Sequence, residues 1–347
     1  MNEVNTYGAV TKRGTIFGVK NCTLFEGNDR KLVWEGEGTD VRLCNSAYEV
    51  LKQADLNYLV KKEPLFSQDG LDSGLFGTRR YELTEEGLEV ATPYFYGAVG
   101  NKYKVVQNSK AMEFLDELYC HEGFSVETAG QFENGKIMWI EARLPERFMV
   151  DEKIVPYIVF TNRHDGQGTI KVCLTPIRVV CKNTLAYSIA KAARTFNIRH
   201  TESAESRLAV AKETLQNYAI YLENLQAQIE KQKSILLTDT IVDNMLKMVF
   251  PIKKEYGELK VQTISEQRQC VKYIYENAPD LQDMEQSAFR FVSAVSDFAT
   301  HSKSNRAKEG WHNRLFQNSL DGVELVDIAN NVVEAIEPYA NKVIGMA

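Results

Sequence analysis

The chain has 347 residues, 44% of them hydrophobic and 25% charged, with a formal net charge of −6. That length suits about two domains with a sizeable buried core. The acidity excludes a protein that coats nucleic acid over its whole surface, although a local basic face can act alone. No run reaches the roughly 18 apolar residues of a membrane span. The opening MNEVNTYGAVTKRGTIF has no apolar core of the kind a secretory signal needs. The six cysteines are scattered, without a C-x-x-C pair, which predicts free thiols in a reducing cytoplasm.

In chain order, residues 41–60 carry a helical pattern. GTRRYELTEEGLEV (77–90) reads as strand, turn, strand, and FYGAVGNKYKVV (95–106) as two short strands around Gly100-Asn101. Asn108 can cap a helix whose apolar Ala111, Met112, Leu115 and Leu118 or Tyr119 share one face. FSVETAGQF and KIMWIEARL flank Glu133-Asn134-Gly135, a strong hairpin signal because Asn and Gly tolerate positive φ. A second hairpin follows: VPYIVFTNR, a turn at HDGQG, then TIKVCLT, where Ile170, Val172 and Leu174 alternate with Lys171, Cys173 and Thr175. Pro176 lacks an amide proton and is predicted to end or bulge that strand. A helix is predicted from about Val179–Lys182, with Cys181, Leu185, Ile189, Ala192 and Phe196 inward and Asn183, Tyr187, Lys191 and Arg194 outward.

From Leu208 the apolar positions Leu208, Ala211, Leu215, Tyr218, Leu222, Leu225, Ile229 and Leu236 step by threes and fours, interrupted at Gln232. This predicts one long helix with a coiled-coil seam, within or between chains. Further helices are predicted at 239–249, 262–276, 285–300 and 322–341, punctuated by Pro251 and Asn277-Ala278-Pro279. The fold class is therefore α+β: a curved antiparallel sheet followed by a packed helix, with a C-terminal helical, coiled-coil region. The expected domains are 1–200, holding the sheet and a basic face, and 201–347, helical. The second carries 16 Lys plus Arg against 21 Asp plus Glu, so nearly all the net acidity sits there.

YKVVQNSKAMEFLDEL, ETAGQFENGKIMWIEARLPE, PYIVFTNRHDG, LTPIRVVCKNTL and FNIRHT, in that order, resemble the phage/plasmid-like protein family, a family of unknown function carried by phages, plasmids and prophages. The similar segments run from about residue 80 to 235, with a weaker echo in SAFRFVSAVSDFATHSKSNRAKEGWHNRLF. The resemblance implies a mobile-element setting and supplies no catalytic residues. The strands-then-helix order is also similar in topology to single-strand annealing proteins.

From Gly166 to His200 there are six Lys or Arg and no Asp or Glu. Cations with an interleaved aromatic suit single-stranded nucleic acid, charges for phosphates and a ring for base stacking. On this reading Arg163, Lys171, Arg178, Lys182, Lys191, Arg194 and Arg199 contact phosphate and Tyr187 stacks. The alternative is a solvated face that pairs with the acidic helical half. A second candidate surface is the 301–316 loop, with Lys303, Arg306, Lys308, Trp311 and Arg314; its plainer reading is a polar connector whose Trp packs on the core. His164-Asp165 could serve a metal-dependent nuclease or phosphodiesterase, yet Asp-Gly is itself a turn former. The other histidines lack metal-ligand spacing, and Cys173 and Cys181 read as small core residues. No phosphate-binding glycine loop of the ATPase or dinucleotide type is present. The expected function is binding of single-stranded nucleic acid, for annealing or protection of DNA, by a homo-oligomer without cofactor, metal or membrane contact. The rival is an interaction protein, with a host or phage protein as partner, that inhibits a host defence factor through its acidic helices.

Overall fold

A computed structural model of the protein describes residues 2–4, 10–16, 19–26, 38–84, 86–110, 112, 124–145, 154–178, 183–184, 195–204, 206–207, 218–299 and 323–344. It is an α+β fold with antiparallel sheets. In chain order come β1 (Asn2–Val4), β2 (Val10–Ile16), β3 (Val19–Glu26), β4 (Thr39–Asp40), α1 (Ala47–Gln53), β5 (Leu59–Phe66), β6 (Asp72–Leu83) and β7 (Glu89–Val99). Then follow β8 (Ser125–Phe132), β9 (Ile137–Arg143), β10 (Ile154–Arg163), β11 (Ile170–Arg178), β12 (Asn183–Thr184) and β13 (Thr195–Ile198). The helical part holds α2 (Tyr218–Ser234), α3 (Asp239–Val249), α4 (Glu258–Asn277), α5 (Ala288–Asp297) and α6 (Glu324–Ile344).

The main sheet has seven strands in the order β12-β11-β10-β9-β8-β4, with β13 also pairing β11. Both predicted hairpins are present, β8–β9 and β10–β11, each in antiparallel register. Alternation sends Met138, Ile140, Ile158, Phe160, Val172 and Leu174 to one face, where they join the main hydrophobic cluster. Each such side chain contributes roughly 1.5–3 kcal/mol on burial. The opposite face is buried too: Trp139, Tyr157, Val159 and Cys173 are all at 2% exposure or less. On that face Tyr157 donates to Glu127 and Thr128 to Glu141, both at 3.0 Å.

Three sequence expectations fail here. Pro176 does not end its strand; β11 runs on to Arg178 and Pro176 faces Pro156 directly. Two facing prolines lose no ladder bond at a non-hydrogen-bonded pair, and the Pro156 carbonyl turns the other way, accepting from the Leu144 amide at 3.0 Å. The predicted helix over 181–196 is wrong at both ends: 183–184 and 195–198 are strands laid on β11, with Phe196 opposite Val172. Residues 185–194 lie outside the described residues. Third, residues 103–107 form no strand. Instead the Gln107 side chain takes a strand's place on β5, accepting from the Val60 amide at 3.0 Å and donating to its carbonyl at 2.8 Å. Helical backbone begins at Asn108.

β5, β6 and β7 form a separate antiparallel sheet that docks on the two hairpin turns. Tyr58 and Tyr96 donate to the carbonyls of Gly135 and Asn134 at 2.7 and 2.8 Å. Gly135 has φ +93°, and a Cβ there would lie 2.7 Å from the Tyr96 hydroxyl, so only glycine suits it. Gly97 lets the second turn approach: a Cβ there would meet the Asp165 carbonyl oxygen at 2.3 Å.

In the helical part the expected helices at 239–249, 262–276, 285–300 and 322–341 appear as α3 to α6. Leu222, Leu225 and Ile229 of α2 are buried within this chain; residues 208–217 of the predicted seam lie outside the described residues. The polar interruption is accommodated, since Gln232 donates to Asn330 of α6 at 2.8 Å. Leu236 falls beyond α2 and is 40% exposed. Every residue of α5 is buried, and α5 packs against α2, α4 and α6. One continuous hydrophobic cluster runs from Val41 to Ala340. Cys44 and Cys173 are buried and in no disulfide, but Cys270 is disulfide-bonded, against the expectation of free thiols throughout.

Candidate nucleic-acid interface

The turn read as HDGQG sits where the two sheets meet, and its first residues face inward. His164 has no exposed surface. Its Nε2 lies 3.0 Å from Asn108 Oδ1, which also accepts from Asn162 Nδ2 at 3.2 Å. Asn162 Nδ2 donates to the Val106 carbonyl at 2.9 Å and Asn108 Nδ2 to the Leu56 carbonyl at 3.0 Å. Thr78 of β6 donates to the His164 carbonyl at 2.7 Å. Oδ1 of Asn108 can only accept, so Nε2 of His164 carries the proton. Burial, reinforced by neighbouring His200, pushes the His164 pKa down to about 3, so the ring is neutral at pH 7. Asp165 is also buried. Burial would raise its pKa, but the Arg163 guanidinium and the Gln167 amide hold it below the usual value. His164-Asp165 is thus a joint between sheets rather than a polar group presented to solvent. Among the described residues no group of three or more His, Cys, Asp or Glu could hold a metal ion.

The rest of the same turn borders an open pocket of about 440 Å³, walled by Gly100, Lys102 and Tyr103, by Gly166–Thr169 and by Arg199–Thr201. Each wall is anchored. The Lys62 ammonium donates to the carbonyls of Asn101 and Tyr103, each at 3.0 Å. The Lys104 amide donates to the His200 carbonyl at 3.0 Å, and Arg163 fills the space beneath Gly168. Lys102 and Arg199 are exposed at the rim, and no carboxylate lines the pocket. Of the two acids adjoining the walls in the chain, Asp165 is buried against Arg163 and Glu202 is ion-paired with Lys104 at 3.1 Å.

His200 lies at the inner end, 4% exposed and stacked on Tyr103 with ring centroids 4.8 Å apart. Burial pushes its pKa down to about 4 against the opposing pull of the Lys104 carbonyl, the Asp165 carboxylate and the Arg163 carbonyl. Neither carbonyl makes a well-formed bond, and both ring nitrogens are buried without a hydrogen-bond partner.

The family profile for the Domain of unknown function (DUF932) matches residues 95–320, which takes in all three walls of the pocket. The chain belongs to the DUF932 family. No curated protein and no solved structure matches it.

Of the residues expected to contact phosphate, the DUF932 fold brings together only part of the set. Arg199 is exposed at the pocket. Lys171 lies on β11 opposite Asn197 and is half-buried. Arg163 is turned inward onto Asp165. Arg178 ends β11 opposite Asn183, its backbone alone described. Lys182, Tyr187, Lys191 and Arg194 lie outside the described residues, as do Lys303, Arg306, Lys308, Trp311 and Arg314. Sequence reasoning missed Lys102, Tyr103 and His200. The available signal was the alternation in FNIRHT, which buries Ile198 and turns Arg199 outward. No helix among the described residues is long and apolar enough to cross a membrane.

Proposed function

We propose that this chain binds single-stranded nucleic acid, annealing or protecting DNA as a homo-oligomer in the bacterial cytoplasm, in the mobile-element setting implied by the phage/plasmid resemblance. Phosphates run along Lys102, Arg199 and Lys171; Arg178, Lys182, Lys191 and Arg194 stay with the proposal as further phosphate contacts. The observation that carries the reading is a pocket rimmed by two exposed cations, with no carboxylate in its lining, on a chain of net charge −6. Electropositive ground on an acidic protein selects an anion, and successive phosphates reward a row of cations.

Fluorescence anisotropy with a labelled single-stranded oligonucleotide tests this. Wild-type affinity is expected to fall with salt, with a slope of log K on log salt of about −0.7 per phosphate contacted. The double variant Lys102→Glu, Arg199→Glu is expected to bind at least about tenfold more weakly, whatever the base sequence, because phosphates carry no sequence information. Equal binding by both proteins sinks the assignment of this surface.

A further inference from the structure

Resting on that reading, we infer that the pocket is an end site, which takes the terminal phosphomonoester of a nucleic-acid strand with His200 at its inner wall. Three features of the site converge on this.

The first is size. A space of about 440 Å³ suits one small-molecule-sized unit, so it holds a single nucleotide rather than a run of them. The second is charge. A phosphomonoester carries about −1.5 to −2 at pH 7, whereas an internal phosphodiester carries one negative charge. Lys102 and Arg199 match the doubly charged group, and a guanidinium can grip two of its oxygens at once. Thr169 and Thr201 add hydroxyl donors to the lining. The third is the unmade bonding of His200, 4% exposed with both ring nitrogens unpartnered. Buried polar atoms left unpaired are costly. The neighbouring His164 has its Nε2 engaged by Asn108, while His200, which lines the pocket, has neither nitrogen engaged. A neutral ring offers one N–H and one acceptor nitrogen; both are sealed from solvent here, so the ring must turn toward the pocket to bond a phosphate oxygen and a sugar hydroxyl of the same nucleotide.

The phosphomonoester could belong to a strand or to a free nucleotide, and the test separates them. Four probes are compared on the full chain: a 5′-phosphorylated single strand, its 5′-hydroxyl twin, a circular single strand of like composition, and a free nucleoside monophosphate as competitor. The 5′-phosphorylated strand is expected to bind about tenfold more tightly than its twin or the circle, the gain of one charge-assisted contact. The free nucleotide should compete away that increment alone. Arg199→Gln, an exposed change, should erase the preference while leaving residual binding, and His200→Gln should do the same; should His200→Gln fail to fold, Arg199→Gln carries the test. Equal binding of the three strands overturns the end site and leaves the nucleic-acid reading standing. A free nucleotide that binds while every strand fails overturns the nucleic-acid reading and keeps a phosphomonoester pocket. No binding by any probe overturns both.

Discussion

His164 and His200 lie with ring centroids 6.3 Å apart, both buried and both held neutral, yet they belong to opposite kinds of site. Around His164, Asn108 and Asn162 link the ring to the backbone carbonyls of Leu56 and Val106. With Thr78 donating to the His164 carbonyl, that network joins the α1–β5 connection, the small sheet and the main sheet, so its energy goes into holding the fold. Around His200 the backbone is anchored and the ring stacks on Tyr103, but its nitrogens make no well-formed hydrogen bond. A polar network that is satisfied rigidifies a core, and a polar group left open beside a cationic rim is poised for a ligand.

The sharpest way to break this contrast is to damage the joint. Asn108→Leu removes the partner of His164 and the donor to the Leu56 carbonyl, and leaves Asn162 with the Val106 carbonyl alone, so it is expected to cost about 3 kcal/mol or more. The control, Arg199→Gln at the rim, should stay within about 0.5 kcal/mol of wild type. Urea unfolding midpoints read both. Matching midpoints for the two variants would erase the distinction.

A smaller effect is expected with pH. Both histidines have folded pKa values, about 3 and about 4, below their ordinary 6.5. Between those values the unfolded chain binds more protons than the folded one. Stability is therefore full above about pH 6.5 and falls as the pH drops through that window, by roughly 1.4 kcal/mol per pH unit for each ring. Asp165, held below 3.8, adds its own loss only near and below that value. A stability curve flat from pH 7 to 4.5 would contradict the neutral burial of both rings.

The contrast also marks what could be read from the sequence. The two hairpins were legible because Asn134-Gly135 and Asp165-Gly166 are local turn signals, and α3 to α6 because their apolar periodicity and Pro251 are local as well. The joint was not, because its partners are remote: Thr78 and His164 are 86 residues apart, Tyr58 and Gly135 77. The 181–196 stripe misled because a short apolar run fits a helical period and a strand alternation alike. Thr195–Ile198 has period two, and pairing with β11 decided it. Of the candidate site, Arg199 and Lys171 were legible as charge without acid. His200 was not, since its value lies in bonds it does not make, which only the packed structure displays.

The most direct test follows the two rings themselves. With nitrogen-15 in the histidines, the ring signals of His164 and His200 are recorded before and after adding a 5′-phosphorylated single strand, using His200→Gln to assign them. The expected result is that the His200 nitrogens shift with a hydrogen-bonding change while those of His164 stay in place. Signals of both rings that stay unmoved by a bound strand, or that move equally, would contradict the division between joint and pocket.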